Sequence, residues 1–158
     1  MRKTGVRSRT AAVLLAVGIA AGGVATAAPA SARTTACNII NIGQPGNVYW
    51  HGQYAGQVEQ QYDSCGHVLA HWQWAGAFQA ANPGAYLYVG LRSPYGYSNQ
   101  WGAYGVNTKD VTVGWVDIHA VDPDAWIAMA SVNGCNWAYG SEHWYGGADW
   151  AGPVNSSC

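Results

Sequence analysis

Two patterns of apolar residues divide the chain. From Thr10 to about Ala28 apolar and small side chains run almost unbroken, behind Arg2, Lys3, Arg7 and Arg9 and ahead of Ala30-Ser31-Ala32. A basic start, an apolar stretch and a small-x-small site predict a secretory signal peptide over residues 1–32, cut after Ala32. Beyond that point no 3.6-residue apolar period lasts three turns. Apolar and polar residues alternate instead, in short runs broken by Gly, Asn and Pro, which is the signature of strands joined by turns.

The alternation predicts a first strand over Cys37–Ile42, a turn at Gln44-Pro45-Gly46-Asn47, and extended pieces at Val48–Trp50 and Gln57–Tyr62. A turn at Asp63–Gly66 leads into His67–Trp74, where Val68, Ala70, Trp72 and Trp74 share one face. Ala75–Ala81 is read as a helical turn before Asn82-Pro83-Gly84. Ala85–Leu91 alternates most clearly, with Ala85, Leu87, Val89 and Leu91 on one side and Tyr86 and Tyr88 on the other. Arg92–Gln100 reads as a loop, Trp101–Val106 as extended, and Asn107–Asp110 as a hairpin-type turn. Val111–His119 follows with Trp115 in phase with Val111 and Val113, and Asp122-Pro123-Asp124 turns the chain into Ala125–Val132. About eight short strands in residues 33–158 predict an all-β domain, a single antiparallel β-sandwich or a small barrel.

Four cysteines, Cys37, Cys65, Cys135 and Cys158, all lie in the exported part. Four cysteines allow three pairings. Closure of two local loops favours Cys37–Cys65 with Cys135–Cys158. No Cys-x-x-Cys is present, so structural bridges in an oxidising compartment are expected rather than zinc or thiol chemistry.

Charge narrows the partners. After Ala32 only Arg33, Arg92 and Lys109 oppose eight acids, a net charge of −5. This disfavours nucleic acid and anionic lipid. No apolar run of membrane-spanning length remains in the exported part, so no membrane insertion is expected. All nine Trp and ten Tyr lie in that same part, more than a domain of this size readily hides. Exposed aromatic faces suit sugar rings or a protein partner. The densest stretch carries Trp137, Tyr139, Trp144, Tyr145 and Trp150, spaced by Gly and small polar residues. Tyr86, Tyr88 and Trp101, with Tyr95 and Tyr97, are further candidate binding residues.

Catalytic patterns are sparse. The chain lacks Gly-x-Ser-x-Gly, His-Glu-x-x-His and a phosphate-binding loop. His67 and His71 stand roughly 13 Å apart along an ideal strand, too far to share an ion, so no metal and no cofactor are expected. Asp117, Asp122 and Asp124 form the one acidic cluster, and Asp-Pro-Asp is ordinary turn chemistry.

Some residues carry a resemblance. Cys37, then Gly56-Gln57-Val58 with Tyr62 and Cys65, then Cys135-Asn136-Trp137 and a terminal Cys158 are similar in order to the spore-associated protein A group of small secreted actinobacterial proteins. That resemblance implies a small secreted protein without enzymatic activity. In size, export and disulfide content the chain is also similar to the small adaptor subunit of the umbrella toxin particles of streptomycetes. The sequence therefore predicts a secreted, non-enzymatic interaction protein that docks a partner through aromatic residues, with an adaptor in an extracellular, antibacterial toxin assembly as its concrete form. The alternative is a carbohydrate- or cell-wall-binding, lectin-like module. A secreted enzyme inhibitor, or a small glycosidase using Asp117 and Asp124 or Glu142, comes after these.

Overall fold

The period-two segments become two β-sheets packed face to face. The computed structural model describes residues 36–158, and the expected signal peptide and Arg33–Thr35 lie outside them. In chain order the elements are β1 (Ile39–Trp50), β2 (Gln53–Asp63), β3 (His67–Trp74), α1 (Gly76–Ala81), β4 (Tyr86–Ser93), β5 (Tyr97–Gly105), β6 (Asp110–Asp117), a 3-10 turn (Ile118–Ala120), β7 (Ala125–Val132), β8 (Ala138–Tyr139), β9 (Glu142–Trp144), β10 (Ala148–Ala151) and β11 (Ser156–Ser157). The first sheet runs β11-β1-β2-β3-β6 and the second β10-β9-β7-β4-β5, with β8 also pairing β7. Pairing is antiparallel except between β1 and β11.

The core lies between the sheets. Val58, Val68, Ala70 and Trp72 meet Leu87, Val89, Leu91, Trp126 and Ala128 in one buried cluster. Each large apolar side chain buried there contributes about 1.5–3 kcal/mol. Every residue of β7 is buried, which explains its apolar run Ala125–Ala130; the buried Ser131 that follows donates its hydroxyl to the Cys135 carbonyl at 2.6 Å. Trp126 is fully enclosed, and its indole N–H donates to the Ile118 carbonyl at 2.9 Å. The short helix α1 carries Phe78 into the core, stacked on Trp74 with ring centroids 5.8 Å apart. The helical turn read from the sequence is thus present, and its work is to seat one ring.

Three local readings change. The turn expected at Gln44–Asn47 is a bulge inside one long strand, where pairing jumps from Ile42↔Gln60 to Gly46↔Val58. Gly46 is required there, because a Cβ would stand 2.3 Å from the Tyr139 carbonyl oxygen. The expected loop Arg92–Gln100 is mostly strand, since β4 runs to Ser93 and β5 starts at Tyr97. In β6 the register passes from Val68↔Val116 to Leu69↔Gly114 and skips Trp115, which has φ +56° and is 51 % exposed. A bulge adds one residue and re-aims its side chain, so Trp115 leaves the face of Val111 and Val113.

Both favoured disulfides are formed, Cys37–Cys65 and Cys135–Cys158, with Cα separations of 5.6 and 5.8 Å. Each stabilises by roughly 2–4 kcal/mol, mainly through the unfolded chain. The second fastens the C-terminus beside β1, where Cys158 N–H donates to Tyr49 O at 3.1 Å. Among the described residues no helix is long and apolar enough to cross a membrane.

Candidate functional site

The outer face of the second sheet gathers residues that are distant in sequence. On β4, Leu87, Val89 and Leu91 are buried, so Tyr86, Tyr88, Gly90 and Arg92 fall on the opposite side. Strand β7 adds Met129 beside Gly90 and Ile127 beside Arg92. Strand β8 sets Tyr139 opposite Met129, and β5 sets Gln100 opposite Gly90 and Ser98 opposite Arg92. The result is a cleft of about 640 Å³. Trp137, Tyr139, Tyr97 and Met129 supply its apolar surface, Ser98, Asn99 and Gln100 a hydrogen-bonding rim, and Arg92 its only charged group.

Arg92 stands at a junction. Its guanidinium lies over the Tyr139 ring, 5.0 Å from the centroid, a cation–π contact that orients the charge. Arg92 and Tyr139 also line a smaller hollow of about 280 Å³, which Glu142, Ile127 and Val154 share. The ion pairs among the described residues all run through histidines (His67–Asp63, His119–Asp124 and His143–Asp149), and none reaches Arg92.

The other aromatic candidates divide into three groups. Tyr86 and Tyr88 are exposed and meet edge to face at 5.7 Å, but they do not line the cleft. Trp144 and Trp150, on the β9–β10 hairpin, lie 5.5 Å apart, and Tyr95 joins Trp150 at 6.1 Å. Trp101 and Tyr145 correct the sequence reading, since both pack against the core. Trp101 stands opposite the buried Val89 in regular register, so its indole faces inward, and the bulge that follows lets Tyr104, opposite Leu87, face inward as well. The Tyr145 hydroxyl accepts from Gln60 Nε2 at 3.1 Å, and its ring packs on Tyr62 at 5.4 Å. Burial raises the Tyr145 phenol above its ordinary range, although the Gln60 hydrogen bond opposes the shift.

Within the aromatic segment from Trp137 to Trp150, Trp137 and Tyr139 line the cleft, Trp144 and Trp150 pair on the hairpin, and Tyr145 packs against the core. Sequence reasoning missed Arg92, Met129 and the Ser98–Gln100 rim. One signal was available: Arg92 continues the alternation of Tyr86 and Tyr88.

The remaining polar groups are engaged structurally. Asp63 is fully buried and accepts from Cys65 N–H at 3.0 Å, from His67 N–H at 2.8 Å and from the His67 ring at 2.9 Å. Burial pushes its carboxyl up, but the bonds from His67 and Cys65 outweigh this and hold it below the usual carboxylate range. Asp63 also lies close to Cys37 and Cys65, whose sulfurs are joined to each other and offer no thiolate to a metal. Ser141 is buried, with its Oγ accepting from Gln44 N–H at 2.7 Å. His143 is 2.7 Å from Asp149 across the hairpin. Asp117 accepts from His119 N–H at 2.8 Å and caps the 3-10 turn, as its turn-like sequence implies.

No protein-family model, curated protein or solved structure matches this chain.

Proposed function

We propose that this is a secreted glycan-binding protein whose site is the cleft on the outer face of the second sheet. The observation that carries this reading is the company kept by Trp137 and Tyr139. With Tyr97 they share a hollow with the neutral hydroxyl and amide groups of Ser98, Asn99 and Gln100. Sugar rings present apolar faces edged with hydroxyls, and such a site matches both halves of that chemistry. The small share of charged residues suits a neutral or weakly charged ligand. Export is supported by the basic and apolar leader and by the two formed disulfides.

The test is calorimetric titration with soluble chitin, peptidoglycan and plant polysaccharide fragments. Trp137→Ala is expected to abolish binding in a folded protein, and Trp150→Ala, in the separate cluster, to leave it intact. No heat with any glycan would overturn the reading.

Docking of a secreted protein partner, as in an adaptor subunit, is the second reading. It is favoured by Trp115, a half-exposed indole projecting from the edge strand β6, away from the cleft-forming sheet. Size-exclusion chromatography of native secretions with mass spectrometry tests it. Co-elution with the same proteins at fixed ratios supports docking, and elution as a lone monomer counts against it.

A further inference from the structure

Arg92 is one of two cationic side chains among the described residues, with Lys109, in a protein whose acids outnumber its bases. It is half-buried, held over Tyr139, and has no ion-pair partner among the described residues. A guanidinium is a rigid fork of five donors that matches a carboxylate. Partial burial without a counter-ion is unfavourable in the free protein and is relieved when an anion arrives.

The two hollows that Arg92 joins differ in charge. In the larger one Arg92 is the only charged group, and the smaller one also contains Glu142. A carboxylate is attracted into the first and repelled from the second. Excess negative charge across the protein also opposes a ligand with an acid on every unit.

Resting on the glycan reading, we infer that the ligand is a chain in which carboxylated sugars alternate with neutral ones. The acidic unit lies in the larger hollow, its ring against Trp137 and Tyr139 and its carboxylate on Arg92. The neutral neighbour lies in the smaller hollow, with hydroxyls toward Glu142. This excludes homopolymers of uronic acid, whose second carboxylate would meet Glu142.

The experiment is calorimetry with matched tetrasaccharides. Peptide-free peptidoglycan glycan and chitotetraose share one backbone, and the former adds a lactyl carboxylate on alternate sugars. Hyaluronan tetrasaccharide and tetragalacturonate complete the set. At least one alternating glycan is expected to bind about tenfold more tightly than chitotetraose, as one charge-assisted contact provides. Arg92→Gln is expected to erase that preference while retaining residual binding. Glu142→Gln is expected to improve tetragalacturonate binding.

Equal or tighter binding of chitotetraose would overturn the inference and leave the glycan reading standing. So would tetragalacturonate binding as well as the alternating chains, or a preference that survives in Arg92→Gln. No binding to any of the four, together with none across the wider glycan panel, would remove both.

Discussion

Gly90 leaves room for Met129. A Cβ on Gly90 would stand 2.9 Å from the Met129 methyl carbon and 2.4 Å from the Asn99 carbonyl oxygen. The missing side chain lets a flexible thioether lie across β4 and brings the Asn99 backbone close on the other side. Met129 and Asn99 both border the cleft, so one hydrogen atom in place of a methyl group shapes both its base and its rim.

Gly90→Ala is therefore expected to destabilise the protein by about 1–3 kcal/mol, the usual range for overpacking. Met129 alone can swing aside, but the Asn99 carbonyl is backbone in a paired strand and cannot. Chemical denaturation measures the loss. Gly90→Ala combined with Met129→Ala recovers little if the backbone contact dominates, and most of the loss if the thioether does.

The buried acid Asp63 predicts acid sensitivity. Its folded-state carboxyl is held below the ordinary range, so the ionised form stabilises the fold. That contribution is present above the unfolded value of about 3.9 and is lost as pH falls through the lower folded value. Asp63→Asn keeps one acceptor oxygen but loses the charge. It is expected to cost about 1–3 kcal/mol near neutral pH and to flatten the acid limb of stability against pH. Denaturant midpoints from pH 7 down to pH 2 provide the comparison.

Tyr145 predicts the opposite limb. Its phenol is raised by burial, so the folded state favours the neutral form. Stability from this group is full below the ordinary tyrosine value of about 10 and declines as pH rises above it. Absorbance at phenolate wavelengths is expected to show Tyr145 ionising above the ordinary tyrosine range. Tyr145→Phe removes that signal. It also leaves the buried Gln60 amide without its acceptor, at about 1–2 kcal/mol.

The architecture was legible because it rests on local alternation. Val68, Ala70, Trp72 and Trp74 in β3, and Leu87, Val89 and Leu91 in β4, are all buried as the pattern requires. The cleft was not legible, because it depends on register between strands. Gln100 reaches Gly90, and Tyr139 reaches Met129, through pairings that no local pattern encodes. Bulges hid more. The extra residue at Trp115 turned a side chain outward, where strict alternation offers no such option, and the shift between Trp101 and Tyr104 let both rings face inward although they are three residues apart. Aromatic composition signalled that some rings would be exposed, but burial of Tyr145 and exposure of Trp150 are decided by tertiary packing.

The β9–β10 hairpin provides the last prediction. Trp144 folds back over its own turn, so a Cβ on Gly146 would stand 1.9 Å from Trp144 Cζ2. The turn itself closes through a Gly147 N–H bond to the Trp144 carbonyl at 2.9 Å, and that bond does not need Gly146 to lack a side chain. In Gly146→Ala the indole must therefore swing away while the hairpin persists. Its contact with Trp150, 5.5 Å between centroids, is then lost. Near-ultraviolet circular dichroism, which reads coupled indoles, is expected to change clearly. Stability is expected to fall by only about 1 kcal/mol, because this pair lies at the surface and an aromatic contact of this kind contributes about 0.5–1.5 kcal/mol. Trp150→Ala is expected to remove the same indole–indole contribution together with that of the Tyr95–Trp150 contact, and Gly146→Ala added to it is expected to change the spectrum little further. A spectrum unchanged in Gly146→Ala would mean that the indole does not rest on the turn.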